Sequence, residues 1–260
     1  MTYPNTISPF FNGQLGAALG VAPVVQPVLA PLPWLVLDIE TANPPEDAIQ
    51  AEIAAWKPAA NVKNADTIER QRAEAEPKIR EKAGLLDCAP VACVAINSRY
   101  GMQVWHWLPT DAEIPNATAY PASDERQMLY ALRVWLDQVA NTETVLVGHN
   151  VRGFDFPKLR LRYAVHNLRL PHVFQPNPEI RVDDTMRLFS RYFAIGDQPF
   201  VSLEEMARKL GIAGGDKVLN GKEVPQAIVE GRYREVLTYC TVDTLLTTYA
   251  WQRLTSQVGE

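Results

Sequence analysis

Residues 34–40, WLVLDIE, place Leu35, Leu37 and Ile39 on one face of an extended chain and Trp34, Val36, Asp38 and Glu40 on the other. Apolar residues on both faces predict a central strand covered on both sides. Strands are also predicted at 90–97 (PVACVAIN) and 102–108 (MQVWHWL), joined by a turn at Ser98-Arg99-Tyr100-Gly101. A further strand is expected at 144–148 (TVLVG) and a short one near 180–182. Between Ser123 and Ala140 the apolar residues Met128, Leu129, Leu132, Trp135, Leu136 and Val139 recur at helical spacing, with Ser123 as the expected N-cap. Helices are also predicted at Phe156–Val165, Asp184–Arg191, Ser202–Leu210 and Arg232–Leu254, with a glycine-rich loop over 211–221. Strands fill the first half and helices the second, which predicts an α/β fold, a mixed sheet flanked by helices.

Two stretches depart from this pattern. Residues 1–33 form a Pro-rich arm whose apolar run, Leu15 to Ala30, is broken by Pro23, Gln26 and Pro27. No Lys or Arg precedes Lys57, and the run is too interrupted to span a bilayer, so neither a signal peptide nor a membrane segment is expected. The arm is expected to pack along the domain or to dock on a protein partner. Residues 44–87 follow the Asn43-Pro44-Pro45 stop and carry mixed charges with few apolar positions. They read as a helical insertion within a single domain over 34–255, kinked or broken at Pro77.

Composition narrows the function classes. The 260 residues are 47% hydrophobic, enough for a sizeable core. Lys and Arg total 25 against 30 Asp and Glu, a net charge of -5, which excludes a protein that coats nucleic acid. A local basic strip remains possible: from Arg152 to Arg191 stand Arg152, Lys158, Arg160, Arg162, Arg169, Arg181, Arg187 and Arg191, against Asp155, Glu179, Asp183 and Asp184. Three cysteines without a C-x-x-C pair argue against a disulfide framework or zinc knuckle and fit a reducing cytoplasm.

Three acidic motifs carry the chemistry. Asp38-Ile39-Glu40 sets two carboxylates on one strand face, a repulsion that a hard divalent cation such as Mg²⁺ relieves. Asp155 lies in Phe154-Asp155-Phe156-Pro157, after the strand that ends at Gly148-His149-Asn150, where it reads either as a helix cap or as a ligand. Tyr239 and Asp243 stand at i and i+4 in a helix rich in core-type residues, where an inward-facing Asp needs a partner or a metal.

In this order the motifs resemble the DEDD exonucleases, and Tyr239, four residues before the last Asp, resembles the DEDDy subgroup. The string Asn150 to Pro157 is similar to the second motif of the exonuclease domain of family B DNA polymerases. SLEEMARKLGI, GKEV and YCTVDTLLTTYAWQRL resemble the predicted 3′–5′ exonucleases related to that domain. The resemblance covers 34–43 and 88–254 and implies a ribonuclease-H-like fold. It further implies two divalent cations, Mg²⁺ or Mn²⁺, held by Asp38, Glu40, Asp155 and Asp243, with Tyr239 orienting the attacking water. Thr41, Asn150, Arg152 and Phe154 are expected at the substrate. The expected substrate is a 3′ end, single-stranded or frayed, with DNA favoured over RNA. An RNA exonuclease of the ribonuclease D type and an inactive end-binding protein are the alternatives.

Overall fold

The structure, a computed structural model, describes residues 33–177, 179–193, 200–212 and 219–258. The N-terminal arm to Leu32 and most of the 211–221 loop lie outside the described residues. Six strands form one mixed sheet in the order β4-β3-β2-β1-β5-β6. They are β1 (Trp34–Thr41), β2 (Val91–Ser98), β3 (Gly101–His106), β4 (Ala117–Pro121), β5 (Val145–Gly148) and β6 (Val182–Asp184). The first three strands pair antiparallel, whereas β5 runs parallel to β1 and β6 to β5. With helices on both faces, this is the ribonuclease-H-like α/β arrangement expected from the sequence.

The alternation of β1 is what places the site. Leu35, Leu37 and Ile39 join Val94, Ile96 and Trp105 under α3 (Glu125–Val139) and α4 (Asp155–Val165), which contribute Met128, Leu132, Phe156 and Tyr163. The Tyr163 hydroxyl donates to the Leu129 carbonyl at 2.7 Å and ties these two helices together. On the opposite face lies α8 (Tyr233–Val258). Trp251 packs on Val36, Val145 and Val147, while Val236, Leu237 and Cys240 sit over Ala92, Cys93 and Ala95. These small β2 side chains let a 26-residue helix approach the sheet closely. Thr244 and Thr248 are buried there but satisfied, their hydroxyls donating to the carbonyls one helical turn back.

Several expectations are corrected. The cap of α3 is Asp124, whose carboxylate accepts the Gln127 N–H at 2.8 Å; Ser123 instead donates to Asp124. The last strand falls at 182–184, two residues later than predicted, because Asp184 both ends it and caps α5 (Thr185–Tyr192). Strand β4 escapes the sequence pattern, being five residues long, half-exposed and closed by Pro121 at the sheet edge. The short α7 (Val224–Val229) was also not predicted, although Pro225 in its first turn is a helix-start signal. Between β1 and β2 lie α1 (Glu46–Ala55) and α2 (Ala65–Glu81), the latter running through Pro77 without a break. The helix α6 (Leu203–Lys209) follows Ser202, its N-cap. No described helix is long and apolar enough to cross a membrane.

Candidate active site

Asp38 and Glu40 leave the apolar part of β1 on the face turned toward α8. There the ligand atoms of Asp38, Glu40 and Cys240 all lie within 4.8 Å of one another. Helical spacing on α8 brings Tyr239 and Asp243 to the same corner, and the Tyr239 hydroxyl hydrogen-bonds to the Asp243 carboxylate. Asp243 is 7% exposed and so faces the interior of the domain.

Asp155 reaches the corner from the other side of the sheet edge. Its carboxylate accepts the backbone N–H of Ile39, the residue between Asp38 and Glu40. The β5 pairing with β1 stops at Val36, which leaves that N–H available. The cap position of α4 is Phe154, with no side-chain cap bond, so Asp155 is not merely a helix cap.

The electrostatics are those of crowded, buried acids. Burial, then the charges of Asp155 and Asp243, pushes the Asp38 carboxyl well above the usual range. Burial and Asp38 do the same to Glu40. Asp155 is pushed up to about 7, chiefly by burial. Among the described residues no lysine or arginine forms an ion pair with these three carboxylates, and the leading influences on each are burial and neighbouring acidic groups. The Asp38 Oδ2 is sealed from solvent without a hydrogen-bond partner. Tyr239 is driven far above the ordinary phenol range by burial and by the charges of Asp243 and Glu40, so it stays protonated. A cluster of carboxylates of this composition fits hard divalent cations.

The residues expected to touch substrate fare differently. Thr41 is buried, and its hydroxyl donates to the Gly84 carbonyl at 2.7 Å, so its side chain is already engaged. Asn150 adopts φ 57°, and its carbonyl accepts the Gly153 and Phe154 N–H groups, a loop-building role. Asp184 secures the same loop by accepting the Asn150 and Arg152 N–H groups, a function the sequence did not reveal. Arg152 is exposed, its guanidinium donating to the Val182 carbonyl, and Phe154 is half-buried beside Lys158.

Much of the basic strip is consumed by the fold. Arg162 is buried against Glu125, donating at 2.9 and 2.5 Å, and Glu125 also accepts from Val91 N–H and contacts His166. Lys158 donates to the Leu86 carbonyl and Arg160 to that of Phe174. Arg181 and Arg187 pair with Asp183 and Asp184.

Two features were missed by sequence reasoning. Cys240 donates toward the Asp38 carbonyl at 3.6 Å, contacts the Asp38 carboxylate and hydrogen-bonds with Cys93. The C-terminal end of the insertion also abuts the site: a Cβ on Gly84 would stand 2.9 Å from Pro225, four residues beyond Gly221, where a Cβ would stand 3.8 Å from the Tyr239 hydroxyl.

No curated protein matches the chain. The model of a family described as predicted 3′–5′ exonucleases related to the exonuclease domain of PolB matches residues 85–260, which takes in Asp155, Tyr239 and Asp243 and leaves Asp38 and Glu40 upstream of the match. With most of its length covered, the chain belongs to this family of predicted 3′–5′ exonucleases.

Proposed function

We propose that the protein is a metal-dependent 3′–5′ exonuclease that hydrolyses the terminal phosphodiester bond of single-stranded or frayed DNA. Family membership supports exonuclease activity in general. The observation that carries the finer reading is the crowding of Asp38, Glu40 and Asp155 in one corner, where among the described residues no lysine or arginine forms an ion pair with them. A bound divalent cation stabilises the ionised form of such a cluster.

In this reading Asp38, Glu40, Asp155 and Asp243 hold two divalent cations, Mg²⁺ or Mn²⁺. When bound, these supply a nucleophilic water of lowered pKa and stabilise charge on the leaving oxygen. The Tyr239 hydroxyl, protonated and bonded to Asp243, orients that water and does not remove its proton. The Ile39 N–H holds Asp155 in place beside the first two carboxylates. Arg152, exposed at the loop before α4, and Phe154 are the residues we assign to the approaching strand, by phosphate contact and by apolar contact with a base. We assign the protein to the cytoplasm, on its cysteine content.

The test is digestion of 5′-labelled single-stranded DNA, duplex DNA and RNA, with Mg²⁺, Mn²⁺ or EDTA. The expected result is a ladder shortening from the 3′ end on single-stranded DNA, abolished by EDTA and by Asp38→Ala or Asp243→Ala. Equal activity in those variants overturns the site. Cleavage of RNA alone favours a ribonuclease D type of activity, and binding of ends without cleavage favours an inactive end-binding protein.

A further inference from the structure

We propose that Cys240, with Asp38 and Glu40 and backed by Cys93, forms a mixed sulfur–oxygen site for a thiophilic divalent cation of the zinc class, and that filling it blocks the carboxylates. The blocking rests on the function proposed above; the site itself does not. Three observations converge on it. The Cys240 Sγ and the carboxylate oxygens of Asp38 and Glu40 lie within 4.8 Å of one another. A tetrahedral zinc with ligands at about 2.0–2.3 Å brings ligand atoms to about 3.3–3.8 Å of each other, so closure draws these atoms together by about 1 Å or more at the widest separation. The Asp38 Oδ2 is a buried acceptor without a partner. A second thiol, Cys93, stands opposite Glu40 in the β1–β2 register and within hydrogen-bonding reach of Cys240.

The ligand set selects its ion. Thiolate favours zinc, cadmium and cobalt over magnesium, which takes oxygen ligands. Coordination replaces the S–H proton of Cys240, which passes to buffer, and the cation takes carboxylate oxygens that the nuclease reading assigns to Mg²⁺ or Mn²⁺. The contrasting role for two fully buried thiols is that of small apolar filler.

The test uses metal-free full-length protein carrying Cys88→Ser, which removes the exposed thiol. Cd²⁺ or Co²⁺ alone is titrated in, and thiolate-to-metal charge-transfer absorption is recorded. The proposal expects one saturable equivalent with that absorption, its loss in Cys240→Ser, and an affinity at least about tenfold weaker in Asp38→Asn. Absence of the band, or its survival undiminished in Cys240→Ser, overturns it. Should Cys240→Ser fail to fold by circular dichroism, unchanged Cd²⁺ affinity in Asp38→Asn overturns it instead. The band is read without substrate: its presence in a protein lacking nuclease activity supports the metal site while the functional reading falls, and nuclease activity without the band overturns the metal site while the functional reading stands.

Discussion

The carboxylate of Asp155 accepts the backbone N–H of Ile39, the residue that separates Asp38 from Glu40. One hydrogen bond thus joins the second acidic motif to the first. It uses a strand donor that β5, ending at Gly148, leaves unpaired. The bond partly offsets the burial that pushes Asp155 up, yet burial wins.

This balance gives a pH dependence with a defined sign. Asp155 goes from an ordinary 3.8 to about 7 on folding. Between these values the folded protein holds the proton and the unfolded chain does not, so stability is greatest at the acid end and falls as pH rises to about 7. The shift corresponds to an upper bound of about 4 kcal/mol, and Asp38 and Glu40 act in the same direction. Urea denaturation in EDTA across this range should show the loss, and excess Mg²⁺ should remove it. Asp155→Asn should stabilise the metal-free protein at neutral pH while lowering activity by more than about a hundredfold. A variant less stable than the parent in EDTA would contradict the account.

Tyr239→Phe separates orientation from proton removal. The hydroxyl is protonated throughout the working range, so its loss should lower kcat by about a hundredfold and leave the shape of the pH–rate profile unchanged. Loss in this variant of a limb along which the rate rises with pH would make Tyr239 the base and refute the orienting role.

Gly84→Ala probes the junction between the insertion and the site. The new methyl would meet Pro225 at 2.9 Å and the Thr41 hydroxyl at 3.1 Å. Overpacking of this kind costs about 1–3 kcal/mol, and faster hydrogen exchange is expected around Thr41 and residues 83–90. Parental stability and exchange would show that the junction has slack.

Arg162→Met tests whether the buried ion pair belongs to the fold. It would leave Glu125 charged, buried and facing only Val91 N–H and His166, at a cost of about 3–5 kcal/mol. Adding Glu125→Gln should recover part of this, which a double-mutant cycle by chemical denaturation measures. A purely additive cycle would contradict the coupling.

The alternation in WLVLDIE was enough to set Asp38 and Glu40 on one face, because side-chain direction in a strand depends only on position parity. The four-residue step from Tyr239 to Asp243 likewise fixed their shared face on α8. These local periodicities, with the order of the three motifs, made the fold and the acidic site legible. The cap at Asp124 was missed by one residue, since Ser123 and Asp124 both suit a cap and only the helix entry angle decides between them.

What the sequence could not decide was which side chains have partners elsewhere. Arg162 and Lys158 belonged to a basic strip in the sequence, and only the packing of α3 and of the chain at 86–88 beside α4 gave them Glu125 and the Leu86 and Cys88 carbonyls as partners. The hydroxyl of Thr41 found its partner, the Gly84 carbonyl, only when the insertion folded back on β1. Cys93 and Cys240 lie on elements far apart in the chain and became one feature when α8 packed on β2. Periodicity is a property of the local backbone and is written in neighbouring residues. The partner of a buried polar group is set by long-range packing, and that is settled by the tertiary structure alone.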